Sequence, residues 1–460
     1  MRPGPTPGPQ SLETAALPIW EGVGIVDLNA QGEGVGRHEG QVVFVPFTIP
    51  GEIADIRVLN QRQSFARGEL QNLRGESTVR AVARCQHFGV CGVCQYQHIR
   101  YPAQAEIAAD SVMGNLRKLM KNWHLPEPTV LTAGDGYGYR TQARLQFTKS
   151  SEGRYSLGYT ANDGAAMPVA ECPILAPVLQ SLLGEVLAWL ATDDAHAQLA
   201  RLDMRFLTLQ SNHDSTQAGL KFHTFELLNL GKHYDEEYWG DLWLAWQTAV
   251  PALTGLVIDN GRSDRGFGAN YTEETGQLAP AIPIGAFKQN HPVIERRLYE
   301  SILGWLEPGA RESGLDAYCG RGELTARLAL QAREGRVTGV ESDPAWFDES
   351  GTHINHEFLP EALRPRISFV RHTVDQWLTE TTPTVDWAVF NPPRKGMEPP
   401  VLDWLRESHR GRWLYLSCNP ATFARDCQAL GDAFQLQSLA IADMFPQTAK
   451  MELLASFHPS

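Results

Sequence analysis

The chain of 460 residues contains no stretch of 18 apolar residues, so it offers no candidate for a membrane-spanning helix. The nearest, Leu242 to Ile258, is interrupted by Gln247, Thr248 and Pro251. The opening MRPGPTPGPQ has no apolar core and so does not fit a secretory signal; residues 1–16 are expected to form a disordered leader. There is no internal repeat. There is also no excess of positive charge: the net charge is −13, whereas gripping phosphates wants Lys and Arg. The deficit is uneven. Residues 1–149 carry 15 Lys/Arg against 13 Asp/Glu, and the remainder carries 25 against 40. A polyanion contact in the later part must therefore be a local basic patch. Seven cysteines are too few and too clustered for a disulfide framework, and an odd count argues against one. Together with the lack of a signal this points to a reducing cytoplasm, with metal or catalytic roles for the thiols.

At 43% hydrophobic, the chain is long enough for two or three domains with ordinary cores. Residues 17–80 read as a small β-barrel. Short runs such as Gln41-Val-Val-Phe-Val45 and Glu52-Ile-Ala-Asp-Ile-Arg-Val58 alternate apolar and polar, and Gly and Pro break them at close intervals. The stretch GEGVGRHEGQVVFVPFTIPGE resembles the TRAM domain, an RNA-binding module with an OB-like barrel. Such barrels hold single-stranded nucleic acid on a basic face. Arg57, Arg62, Arg67, Arg74, Arg80 and Arg84 are the candidates for that face; a solvated strand edge is the alternative.

Cys85, Cys91 and Cys94 fall within ten residues. Zinc sites usually show a second close pair of ligands, and none follows here, although His87 and His98 are near. An iron–sulfur cubane takes four thiolates, often one of them distant in sequence. Cys172, in Glu171-Cys-Pro-Ile-Leu175, is the candidate fourth. Zinc remains the alternative. The spacing of radical enzymes is absent, so a metal group here has a structural role.

From about Val293 the pattern becomes that of an α/β sheet. Leu315-Asp-Ala-Tyr-Cys-Gly-Arg-Gly-Glu-Leu-Thr325 is a strand, a glycine turn and a helix start. Gly320 and Gly322 let a ligand approach the backbone. Val337-Thr-Gly-Val-Glu341 is a second strand ending in an acid suited to ribose hydroxyls, a layout shared by dinucleotide and S-adenosylmethionine sites. Trp387 to Phe390 is the fourth strand, with the exit loop Asn391-Pro-Pro-Arg-Lys-Gly396. Trp413 to Leu416 is a buried strand that ends near Cys418, and Asn419-Pro420 stops it. A thiol is thereby placed at a strand's carboxyl end, where open α/β sheets bind ligands. A buried structural thiol is the commoner fate of a free cysteine.

These stretches, with Gly285-Ala-Phe-Lys-Gln-Asn-His291 and Asp443-Met-Phe-Pro-Gln-Thr-Ala-Lys-Met-Glu452, resemble the uracil-5-methyltransferase family that modifies RNA. The resemblance runs from about residue 17 to the end, and SCNPATFARD is its most specific part. It implies a Rossmann-like S-adenosylmethionine-dependent methyltransferase domain over residues 286–460. A TRAM-like barrel over 17–80 and an α+β iron–sulfur and RNA-binding domain over 81–285 would precede it. Cys418 falls where the family keeps its nucleophile and Glu452 where it keeps its base. Arg394 would stabilise the enolate or lower the thiol pKa. Gln289, Asp316, Tyr318, Gly320, Gly322, Glu341 and Asn391 would bind the donor. Cys85, Cys91, Cys94 and Cys172 would hold a [4Fe–4S] cluster. The implied substrate is RNA, ribosomal RNA first and transfer RNA second, acted on by a cytoplasmic monomer with no membrane partner.

The chain departs from the family in places. Thr141 and Gln142 follow Tyr139-Arg140 where Asn-Lys is usual, so Arg140 and Arg144 remain for a phosphate. His291 replaces an asparagine, Asn391 an aspartate, and Thr373 stands where an acid near the adenine is common. Asn-Pro-Pro also marks enzymes that methylate exocyclic amines. Those want an aromatic after the prolines; here it is Arg394, and a thiol follows at 418, so carbon methylation is preferred. The rival from another class is an RNA-binding paralogue that has lost turnover.

Overall fold

A computed structural model of the chain describes residues 18–276, 278 and 280–460. The leader expected at residues 1–16 lies outside the described residues. Contacts divide the chain into a first unit ending at Val82 and a second, Ala83–Ser460.

The first unit is a closed five-stranded barrel. Its strands are β1 (Ile19–Leu28), β2 (Gly34–His38), β3 (Gln41–Val45), β4 (Ile53–Gln61) and β5 (Phe65–Gly75), in the order β1-β2-β3-β5-β4. Alternation decides what fills it. Val23, Ile25, Val43, Val45, Ala54, Ile56 and Val58 point inward and are buried. The expected arginine face is largely neutralised. Arg57 lies 3.7 Å from Glu69, Arg67 3.3 Å from Glu33, Arg74 2.7 Å from Asp55, and Arg80 2.6 Å from buried Glu52. Arg84 belongs to the second unit, where it meets Asp135 at 2.9 Å. Two of these acids, Glu69 and Asp55, lie on the strand paired with the arginine's own, and two, Glu33 and Glu52, lie just before β2 and β4.

The second unit opens with α1 (Ala103–Leu119) and β6 (Thr129–Leu131). A seven-stranded sheet follows. It is built from β7 (Gln142–Lys149), β8 (Tyr155–Thr160), β9 (Ala166–Pro168), β10 (Phe206–Ser211), β11 (Ala218–His223), β12 (Leu253–Asp259) and β13 (Asp264–Gly268), in the order β13-β12-β11-β10-β7-β8-β9. Helices α2 (Pro177–Leu190), α3 (Asp193–Leu202), α4 (Leu230–His233) and α5 (Glu236–Ala249) are inserted between strands. Trp189, Trp239 and Trp246 are buried around Phe222, and Trp243 is buried against Phe267, so these tryptophans are core. A two-stranded sheet, β14 (Tyr271–Glu273) with β15 (Ala281–Pro283), leads on to α6 (Pro292–Leu306). Ile294, Leu298, Ile302 and Leu306 recur every fourth residue and give α6 one buried stripe.

The last sheet has the order β18-β17-β16-β19-β20-β22-β21-β6. Its strands are β16 (Gly314–Ala317), β17 (Val337–Glu341), β18 (Ile367–Arg371), β19 (Trp387–Phe390), β20 (Arg412–Ser417), β21 (Phe434–Ala442) and β22 (Glu452–Pro459). The first five in the order are parallel, and β22 runs antiparallel to β20 and β21. Helices α7 (Glu323–Gln331), α8 (Val374–Thr381), α9 (Pro399–Glu407) and α10 (Pro420–Leu430) connect them. β19 is buried along its whole length, as a parallel strand covered on both faces must be. The edge strand β6 comes from residues far upstream and pairs in parallel with β21. Among the described residues no helix is long and apolar enough to cross a membrane.

Candidate active site

Strand order reverses at β16, which pairs with β17 on one side and β19 on the other. Ligands of open α/β sheets bind at such a point, beyond the strands' carboxyl ends. The loop leaving β16 folds back on β17. Tyr318 takes a left-handed conformation (φ 63°), and its N–H donates to the Val340 carbonyl at 2.8 Å. Gly322 (φ 76°) begins α7, and a Cβ there would come within 2.5 Å of the Phe369 ring. Glu341, at the end of β17, closes the loop. It accepts from the Gly320 N–H at 3.0 Å, and from Ser342 and Asp343 at 2.7 and 2.8 Å. A carboxylate has about four lone-pair sites, so capacity remains for a ligand hydroxyl.

Asp316 behaves differently. It is buried and accepts from the Thr325 hydroxyl at 2.6 Å, and burial pushes its pKa up to about 7. It ties β16 to α7. His353, unforeseen in the sequence, supports the same loop: its Nε2 lies 2.9 Å from the Gly320 carbonyl and its ring stacks on Phe369. Burial lowers the His353 pKa to about 4, so the ring is neutral. Thr373 precedes α8, and Asp375, two residues on, brings its charge near the Tyr318 hydroxyl, whose pKa burial and then Asp375 raise. An acid displaced by two positions was the available signal.

The thiol is set by strand register. β20 pairs with β22 up to Ser417 opposite Leu453. One step further places Cys418 across from Glu452, the first residue of β22. Asn419 caps α10, its side chain accepting from the Ala421 N–H at 3.0 Å, with Pro420 in the first turn. Cys418 therefore stands at a helix N-terminus, where partial positive charge favours a thiolate.

Arg394 arrives from the loop after β19. Asp426 fixes that loop: it accepts from the Met397 N–H at 2.9 Å and the Tyr415 hydroxyl at 2.7 Å. Arg425 donates to the Lys395 carbonyl at 2.8 Å. Gly396 (φ 81°) allows this approach, since a Cβ would meet Asp426 at 2.5 Å. The last two residues of SCNPATFARD thus hold the arginine's loop. The charge of its guanidinium pulls down the pKa of both Cys418 and Glu452.

Burial outweighs that pull. Glu452 is 8% exposed and its pKa is pushed up to about 8, against Arg394. The Cys418 thiol is raised too, by burial and then by Glu452. Arg394 acts on the thiol in the expected direction, lowering its pKa, and offsets burial without overcoming it. Lys450 and Arg140 complete a cationic rim. Burial lowers the Lys450 pKa, then Arg394 and Arg140, while Cys418 opposes them. The sequence reading gave Lys450 no role. Its place two residues before Glu452, on the same side of an extended chain, was the signal.

The departures have structural uses. Gln142 donates to the Ala286 carbonyl at 2.8 Å and to Gln210 at 2.9 Å, and its N–H bonds Asn290 at 3.1 Å. It ties the segment carrying Gln289 to β7. His291 is buried and stacks on Tyr139 with ring centroids 4.8 Å apart. Arg144 lies over the Phe206 ring at 4.1 Å. Asn391 bonds through its backbone N–H to the Ala317 carbonyl at 3.3 Å.

Cys85, Cys91, Cys94 and Cys172 line one cavity with Phe88, Val93, Tyr159, Val169 and Ile174. All seven cysteines are free thiols. Burial raises the pKa of Cys94 to about 12 and of Cys172 to about 11. Among the described residues no group of three His, Cys, Asp or Glu side chains is placed to hold a single metal ion.

Residues 22–71 match the TRAM domain, and residues 353–455 match the family described as tRNA (Uracil-5-)-methyltransferase. The chain is 30% identical to the 23S rRNA (uracil(1939)-C(5))-methyltransferase RlmD of Klebsiella pneumoniae over 453 residues, 95% of both chains. It is 28% identical to the protein of that name from Shewanella denitrificans, over 94% of each. Among solved structures, the Pyrococcus abyssi tRNA (uracil-54, C5)-methyltransferase with S-adenosyl-L-homocysteine aligns with a TM-score of 0.65 at 20% identity. That alignment covers 95% of this chain and all of that one.

Proposed function

The chain belongs to the RNA uracil-5-methyltransferase family, and on that premise we propose that it methylates carbon 5 of a uridine in 23S ribosomal RNA, with transfer RNA as the second candidate. The observation that carries the reading is the β20–β22 register, which faces Cys418 with Glu452 beside Arg394. S-adenosylmethionine, bound at the Tyr318–Gly322 loop and Glu341, supplies an electrophilic methyl group. Carbon 5 of uracil is a poor nucleophile. The Cys418 thiol gives up its proton to solvent, and the thiolate bonds to carbon 6, which makes carbon 5 enolate-like, while Arg394 balances the charge on the ring oxygen. Carbon 5 takes the methyl as the bond to the donor's sulfur breaks, leaving S-adenosylhomocysteine. Glu452 then removes the proton from carbon 5, the sulfur–carbon bond breaks, and the thiolate leaves. The base must leave its stack to reach this pocket, and the rim of Arg140, Arg394 and Lys450 suits its phosphate.

Four thiols around an apolar cavity also fit a [4Fe–4S] cluster held by Cys85, Cys91, Cys94 and Cys172, as a cross-link between distant segments. Free thiols throughout suit a reducing cytoplasm.

The test uses RNA containing 5-fluorouridine. Fluorine cannot leave as a proton, so a covalent complex should persist on a denaturing gel. Cys418→Ala should form none and yield no product, yet bind RNA. Protein that binds RNA and S-adenosylmethionine without trapping fluorinated RNA or making 5-methyluridine would be a binding paralogue.

A further inference from the structure

Lys288 sits inside the segment that carries Gln289, and its side chain has no exposed surface. A buried ammonium needs partners. Its Nζ donates to the Ser211 carbonyl at 2.7 Å and to Glu274 at 3.0 Å. Glu274 accepts from the His213 N–H at 2.7 Å. The His213 ring lies 3.0 Å from Glu295 on α6, and Glu295 lies 3.0 Å from Arg321. Arg321 is the residue between Gly320 and Gly322. It also pairs with Glu323, which Arg327 contacts at 2.6 Å. The Tyr299 hydroxyl donates to Glu295 at 3.0 Å. Three cations and three carboxylates thus run, through one histidine, from the Gln289 segment to the donor loop.

Stability alone does not account for such a network. A buried ion pair seldom stabilises more than apolar packing of the same volume. Its geometry accounts for more. Along an extended chain neighbouring side chains point to opposite sides. Phe287 is 67% exposed, Lys288 is buried, and Gln289 is half-buried. Anchoring Lys288 inward therefore turns Phe287 and Gln289 outward. At the other end Arg321 has its side chain anchored by two carboxylates and its carbonyl held by Asn355 at 2.9 Å. That fixes the backbone from which Gly320 and Gly322 approach a ligand.

We propose that Lys288 and Arg321 are positioning residues for methyl transfer, linked through Glu274, His213 and Glu295 so that the Gln289 segment and the donor loop are held in one fixed relation. The proposal rests on the donor site assigned above. Neither residue is required to touch a reactant.

His213→Gln is the first test. The side chain is 21% exposed, and its loss leaves Glu274 with Lys288 and Glu295 with Arg321. Calorimetry with S-adenosylhomocysteine on the full chain should show affinity at least fivefold weaker, with the melting temperature changed by only a few degrees. The second test removes one charge of each sign, Lys288→Met with Glu274→Gln, so that no lone buried charge remains. It should keep the fold and RNA KM while kcat falls at least tenfold. Wild-type affinity in His213→Gln, or wild-type kcat in the folded paired variant, overturns the proposal. If the paired variant does not fold, His213→Gln decides alone. If unmodified protein does not bind S-adenosylhomocysteine, the donor-site reading fails first, and this proposal with it.

Discussion

In the proposed mechanism Cys418 and Glu452 both lose a proton, and burial raises the pKa of each, that of Glu452 to about 8. The sign of the pH dependence follows. A base acts in its ionised form, and Glu452 ionises above about 8. Release of product from the preformed covalent adduct, the step that uses Glu452, should therefore rise with pH, about tenfold per unit below that value, and level off above it. A flat profile between pH 6 and 8 would show that Glu452 is not the base or that substrate binding resets it. Glu452→Gln keeps the shape and removes the base. Methyl transfer should still occur, after which the complex has no exit, so an adduct should accumulate even on ordinary uridine RNA. Arg394 links the two groups, because its charge favours the ionised form of each.

Among the elements, the β16–β17 pair does the most for the donor. Glu341 closes the glycine loop through the Gly320 N–H, and in the proposed donor site it is the acid that meets the ribose. Glu341→Ala should weaken S-adenosylhomocysteine binding by roughly 1–3 kcal/mol, about 5- to 150-fold, the worth of charge-assisted hydrogen bonds. Calorimetry giving an unchanged affinity would move the donor elsewhere. This strand, the thiol after β20 and the barrel were legible because their signals are local: alternation, a glycine turn, a stop at Asn-Pro. Other features depend on partners far away in the chain. β6 joins a sheet whose other strands lie nearly 200 or more residues downstream. Gln142, which stands where the family usually has a lysine, is turned to Ala286 and Gln210. The barrel arginines are candidates for a basic face by sequence, yet acids brought close by the fold meet four of them. The acid at 452 was visible as a residue. Its raised pKa was not, since burial comes from packing.

At the scale of the whole second unit, one residue of the loop before Glu452 is bonded to the segment that leaves the cysteine cavity. Gln447 is buried and held at φ 71°, a conformation a non-glycine residue keeps only when its surroundings impose it. Its carbonyl accepts from the Gln95 and Tyr96 N–H groups at 2.9 Å, directly after Cys94. Its side chain and backbone exchange bonds with Gln104 on α1 at 2.8 and 3.0 Å. The neighbouring Pro446 carbonyl takes the Tyr139 hydroxyl at 3.1 Å. A group that joins Cys94 to Cys172 would therefore brace the chain that runs on to Lys450 and Glu452. Anaerobically purified protein should be brown, with about four irons per chain. Cys172→Ala should lose the iron and melt at a lower temperature. It should also trap fluorinated RNA more slowly, because the clamp on Gln447 loosens. Binding of S-adenosylhomocysteine at β16 and β17 should stay as it was, since no cysteine of the cavity belongs to that loop. Stoichiometric zinc without iron would reject the cluster. Full iron loss with unchanged melting and trapping would keep the cluster and reject the brace.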